Sequence, residues 1–107
     1  MKAKAVRLHG AGDLRLDEFE LPEITDDEIL VKVISDSVCM STYKCAILGE
    51  KHKRVHDDVA EHPAIMGHEF AGEVIEVGKN VIGIKIGDKV CVDPNKLCNN
   101  CDYCREG

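Results

Sequence analysis

The stretch that decides the fold is Gly67-His68-Glu69-Phe70-Ala71-Gly72-Glu73-Val74-Ile75-Glu76-Val77-Gly78, continued by Lys79-Asn80-Val81-Ile82-Gly83-Ile84-Lys85-Ile86-Gly87-Asp88-Lys89-Val90-Cys91-Val92. Glu69 to Val77 is predicted to be a strand with a glycine kink at Gly72. Val81 to Val92 is predicted to hold two more β segments, punctuated by Gly83 and by Gly87-Asp88. Short strands separated by glycine turns are the pattern of a closed or partly open β-barrel.

Working outward, Lys2 to Leu8 alternates as a strand, His9 to Asp13 reads as a turn, and Leu14-Arg15-Leu16 resumes a strand that Leu21-Pro22 ends. Ile29 to Ile34 is a β-branched run expected to form a buried strand. Asp36 and Ser37 break it, and Ser41 to Leu48 fits a short helix closed by Gly49. Glu50 to Pro63 is polar and is expected to be a long loop. The fold class expected is therefore mainly β, with short helices.

Composition bounds the function. A chain of 107 residues allows one domain and leaves no room for a separate nucleotide-binding unit. With 44% hydrophobic and 32% charged residues it is neither disordered nor membrane-spanning. No apolar run approaches the ~18 residues of a membrane helix. The opening Met1-Lys2-Ala3-Lys4-Ala5 lacks a secretory leader, so a cytoplasmic protein is expected. A net charge of −6 argues against nucleic acid as a partner.

Six cysteines carry the chemistry, and three of them form Cys98-x2-Cys101-x2-Cys104. Thiols at this spacing converge on one metal ion, and zinc asks for four such ligands in a tetrahedron. Three are present. An iron–sulfur cluster also uses this spacing, but it needs a further cysteine followed by proline, which the chain lacks. Cys91 stands near enough to complete the set, yet its place between Val90 and Val92 predicts a core position.

A second constellation is spread out. Cys39 follows the Ile29–Ile34 run, and His68-Glu69 opens the strand at the heart of the fold. A thiolate, an imidazole and a carboxylate suit a borderline metal such as zinc, and three protein ligands with an open position make a catalytic site. A lone cysteine and a lone histidine are equally the ordinary contents of a core and a surface. Gly10-Ala11-Gly12 opens like a dinucleotide fingerprint, but Arg15 stands where the third glycine belongs and a strand follows.

Taken together, Gly67-His68-Glu69-x2-Gly72-x5-Gly78-x2-Val81, Cys39-Met40-Ser41, Gly87-Asp88-Lys89-Val90, Asp93-Pro94 and the cysteine triplet resemble the zinc-dependent medium-chain dehydrogenase/reductase family of alcohol and polyol dehydrogenases. The stretch Glu28 to Arg54 resembles its sorbose-1-phosphate reductase branch. The resemblance implies a GroES-like β-barrel over residues 1–107, with 93–107 opening a structural-zinc lobe whose fourth cysteine would lie past Gly107. It also implies that the cofactor domain for NAD or NADP lies outside this chain, which alone would be an inactive N-terminal part of an enzyme.

The implied reaction interconverts an alcohol and a ketone by hydride transfer. Cys39 and His68 would hold the catalytic zinc, with Glu69 at the metal as an intermittent or outer ligand and a further ligand from outside this chain, and Ser41 would relay the substrate proton. Two departures bear on that relay: Thr42 stands where the family commonly has aspartate, and Lys44 where many members have histidine. Thr42 is therefore a second relay candidate.

The basic run Lys51-His52-Lys53-Arg54-Val55-His56 reads either as a solvated loop or as a grip on a substrate phosphate, with Lys53 and Arg54 the candidates. The partners expected are a small alcohol or ketone, a sugar phosphate in the branch named above, and a second copy of the chain through an open β edge. The competing readings are a stand-alone zinc-binding or interaction module and an iron–sulfur carrier.

Overall fold

The computed structural model describes all 107 residues, Met1 to Gly107. It contains β1 (Lys2–Gly10), β2 (Asp13–Glu20), β3 (Ile29–Asp36), α1 (Met40–Leu48), a 3-10 turn (Gly49–Lys51), β4 (Ala64–Ile65), β5 (Phe70–Val77), β6 (Lys89–Cys91) and α2 (Asp102–Glu106). The strands form two three-stranded antiparallel sheets, in the orders β2-β1-β4 and β3-β5-β6. Neither sheet closes on the other, so the architecture is a partly open GroES-like barrel.

The β1–β2 hairpin is set by Val6 opposite Leu16 and Leu8 opposite Leu14, with a bulge between Leu8 and Gly10. The turn lies at Ala11-Gly12, shorter than the sequence predicts, because Gly10 and Asp13 still pair and His9 forms the bulge within β1. That turn docks on α1, where Gly12 N–H donates to the Ala46 carbonyl at 2.6 Å. Gly49 ends α1 at φ 54°, and a Cβ there would meet Ala11 N at 2.5 Å. A left-handed backbone and a close neighbour both demand glycine.

In the second sheet Val33 faces Gly72, flanked by a register shift between Val33 and Ser35. A Cβ on Gly72 would collide with the Lys32 carbonyl, so the strand passes only without one.

The core is small. Leu8, Cys45, Val55 and Val59 pack together beneath α1, with Ala46, Ala64 and Met66 against them. Val55 and Val59 come from the segment expected to be only a polar loop. It folds into successive turns, with Val55 N–H on the His52 carbonyl and Val59 N–H on the His56 carbonyl. Those turns face two apolar side chains inward.

Three further expectations are corrected. Residues 81–88 form turns rather than a strand: Gly83 and Gly87 take φ 81° and 94°, and the Asp88 carboxylate accepts from Lys85 N–H and Nζ. Only Lys89–Cys91 pairs with β5. The Ile29–Ile34 run is a strand but is not buried, since Val33 and Ile34 are 53% and 65% exposed. Val33 borders an open apolar basin of about 450 Å³ lined also by Ile29, Val31, Phe70 and Val90. Cys91 lies on the same basin and is exposed rather than in the core.

Candidate functional site

Chain geometry brings the spread constellation together. β3 ends at Asp36 and β5 begins at Phe70, opposite each other in register. Ser37 N–H donates to the Glu69 carbonyl at 3.0 Å, extending the pairing past both strand ends. Cys39 then caps α1 in an extended conformation, and His68-Glu69 lies directly before β5. The Cys39 thiol, a His68 ring nitrogen and a Glu69 carboxylate oxygen fall within 4.8 Å of one another.

Hydrogen bonds aim each donor. His68 Nδ1–H donates to the Met66 carbonyl at 2.9 Å, which leaves Nε2 facing the site. Ser41 Oγ lies 3.2 Å from Cys39 Sγ and 3.2 Å from His68 Nε2, between the two. Ser37 Oγ donates to Glu69 Oε2. Thr42 Oγ1 instead donates to the Met66 carbonyl at 3.3 Å, the same oxygen that fixes His68. Gly67 admits the Asp36 carboxylate, which a Cβ would meet at 2.8 Å.

The electrostatics follow from these contacts. The Ser41 hydroxyl, helped by the Ser41 N–H and His68, lowers the Cys39 thiol below its usual value. The Met66 carbonyl, then Cys39, raises His68. The Ser37 hydroxyl, then Cys39, lowers Glu69. A thiolate, a nitrogen lone pair and a carboxylate at one point are the S, N and O donor set that suits zinc.

The second cluster is local. Asn99 turns the chain at φ 57°, and Asn100 N–H points at Cys98 Sγ at 3.4 Å. Cys98 and Cys101 lie 3.6 and 3.4 Å from Cys104 Sγ. The Asn100 N–H, with the two neighbouring thiols, lowers Cys98 to about 7. The segment folds as a tight turn leading into α2. Cys91 is not in this group.

Beside the metal cluster lies a pocket of about 210 Å³ lined by Ser41, Thr42, Cys45, Arg54, Met66 and His68, among others. Arg54 thus reaches the wall of the site, whereas Lys53 and Lys44 do not. Sequence reasoning passed over Ser37 and Met66. Ser37 read as a strand breaker, and the contribution of Met66 is a backbone carbonyl, which no residue type advertises.

The alcohol dehydrogenase GroES-like domain model matches residues 25–107. The chain belongs to this family. It is 54% identical over 86 residues to the mannitol-1-phosphate 5-dehydrogenase of Aliivibrio fischeri, covering 79% of this chain and 20% of that one. It is 56% identical over 75 residues to the L-sorbose 1-phosphate reductase of Klebsiella pneumoniae, covering 70% of this chain and 18% of that one. A Sinorhizobium meliloti protein assigned as a zinc-binding dehydrogenase, solved with NADP bound, superposes with a TM-score of 0.80 at 33% identity, covering 96% of this chain and 28% of that one. The chain therefore spans roughly a fifth of the length of the two curated relatives. No helix in it is long and apolar enough to cross a membrane.

Proposed function

We propose that this chain is the metal- and substrate-holding part of a zinc-dependent, NAD(P)-linked dehydrogenase that interconverts a polyol, or a polyol phosphate, with its ketone. The observation that carries the reading is the convergence of Cys39, His68 and Glu69 donor atoms within 4.8 Å. Zinc held there supplies Lewis acidity to the substrate oxygen, and a nicotinamide supplies or removes the hydride.

The chain's own residues do the rest. Cys39 and His68 offer a thiolate and a neutral nitrogen, and the Met66 carbonyl keeps Nδ1 protonated so that Nε2 is the ligand. Glu69, tethered by Ser37, would be the third donor, through a carboxylate oxygen. Ser41 Oγ, beside both ligands, would accept the substrate hydroxyl proton as it releases its own to solvent water. Thr42 is occupied with Met66 and supports the site without carrying that proton. Cys98, Cys101 and Cys104 hold a structural zinc with one further ligand.

Cobalt(II) substitution tests the reading. The chain should give a thiolate-to-cobalt absorption that weakens with Cys39→Ser and again with Cys101→Ser; indifference to Cys39→Ser would overturn the catalytic site. With polyol phosphate and NAD or NADP, the 107-residue chain should show no turnover, and measurable turnover would contradict the division of labour. The free edges of β2, β3 and β6 and the open apolar basin favour self-association. Light scattering should show mass rising with concentration, and a strict monomer would count against it.

A further inference from the structure

Cations in this chain are mostly spoken for. Of its 14 lysines and arginines, eight have a carboxylate within 4.0 Å: Lys2, Lys4, Arg7, Arg15, Lys79, Lys85, Lys89 and Arg105. The other six are Lys32, Lys44, Lys51, Lys53, Arg54 and Lys96, and four of these fall between residues 44 and 54. This happens in a chain with 20 acidic residues. The nearby Asp58 is no counter-ion for them, because His56 and His62 occupy it. Glu50, Asp57 and Glu61 share this stretch, yet no carboxylate stands within 4.0 Å of Arg54, whose guanidinium is left without an ion-pair partner.

Only Arg54 of the four lines the pocket beside the metal cluster. Ser41 and His68, the reacting end in the reading above, line the same pocket. At about 210 Å³ the space is below the ~300–1,000 Å³ of sites that enclose a whole ligand. It suits the end of a substrate. A guanidinium offers a planar fork that matches two phosphate oxygens, and Arg54 has no carboxylate partner to compete for it.

Arg54 is also held in place. His52 Nδ1 accepts the Arg54 N–H at 3.1 Å and lies 3.6 Å from the thiol of the buried Cys45. The next residue, Val55, is 5% exposed and donates its N–H to the His52 carbonyl. The backbone of Arg54 is thus pinned on both sides, and ordering the side chain costs less when phosphate arrives.

We infer that Arg54 selects phosphorylated over plain polyols by binding the substrate phosphate, and that His52 is the positioning residue that presents it. This rests on the reading of Cys39, Ser41 and His68 as the reacting end.

The test is NMR titration of the zinc-loaded chain with a hexitol 1-phosphate, the plain hexitol and inorganic phosphate. The phosphate ester should bind at least about tenfold tighter than the hexitol, and Arg54→Ala should remove most of that preference. Lys32→Ala, a free cation elsewhere, should leave it intact. His52→Leu should lower the preference, and His52→Asn, which keeps an acceptor near Nδ1, should restore it. An unchanged preference in Arg54→Ala, or a larger loss in Lys53→Ala, would overturn the assignment to Arg54. Equal loss in both His52 variants would overturn the positioning role. Cobalt spectra of the same samples separate the two levels. Absent cobalt binding sinks the metal reading, while loss of inorganic phosphate binding in Arg54→Ala still decides the arginine.

Discussion

The two metal-ligand clusters of this chain are built on opposite principles. Cys98, Cys101 and Cys104 lie within one turn and a five-residue helix, so three thiols meet because of their spacing alone. Cys39 and His68 meet only because β3 and β5 pair in register and α1 starts where it does. The local cluster has one backbone N–H aimed at it; the spread one has Ser37, Ser41 and Met66 orienting its donors. A local cluster needs little from the fold and gains little orientation from it. A spread cluster depends on the fold throughout, and in return each donor is aimed, as an open catalytic site requires.

The sharpest way to break this contrast is to damage the core far from both clusters. Leu8 is fully buried against Cys45, Val55 and Val59 under α1. Leu8→Ala should cost about 3 kcal/mol in urea unfolding. Because folding and binding are linked, zinc affinity should fall at Cys39–His68 and stay nearly constant at the triplet. Equal losses at both would mean that the triplet also needs the fold.

A smaller effect is expected in chain that is already unfolded. Closing a loop costs about 1.5RT times the logarithm of its length, so ligands 29 residues apart pay about 1.4 kcal/mol more than ligands six apart. In strong urea the triplet should hold cadmium about tenfold better than the spread pair on this count alone. Equal binding would show that residual structure keeps Cys39 and His68 together.

The smallest effect is acid-dependent and sits on the hairpin that supplies Leu8. The His9 ring, then the Arg7 guanidinium, hydrogen-bonds Asp17 and holds its carboxyl below the usual value. A lowered pKa in the folded state means that this stabilisation is present above about pH 3.9 and is lost as pH falls through the lower folded value. Asp17→Asn should flatten the acid side of the stability profile and lessen acid loss of metal from the spread site. An unaltered profile would remove the hairpin from the account.

The same contrast explains what could be read from the chain itself. The triplet is legible by spacing, and α1 is legible because Gly49 stops it. β3 and β5 are legible as strands because β-branched residues run between breakers. Residues 81–88 misled because their isoleucines suggest strand, whereas Gly83 and Gly87 take left-handed conformations that bend the chain into turns. Val55 and Val59 were hidden in a polar segment, since their inward direction is set by the turns at His52 and His56. Burial of β3 was overestimated because a β-branched run reports strand preference, not what covers it. The ligand types of the spread site were visible in Cys39 and His68-Glu69. Their orientation was not, because it depends on a carbonyl at Met66 and a serine at residue 37.

The central claim is that Cys39, His68 and Glu69 form one mixed-donor metal site distinct from the thiol triplet. Cadmium-113 NMR of the chain tests it directly, because the resonance moves strongly with the number of thiolates bound. Two resonances are expected, one in the sulfur-rich range from Cys98, Cys101 and Cys104 and one in the mixed sulfur, nitrogen and oxygen range. The mixed-donor resonance alone should vanish in Cys39→Ser. A single sulfur-rich resonance, untouched by substitution of Cys39 or His68, would contradict the claim.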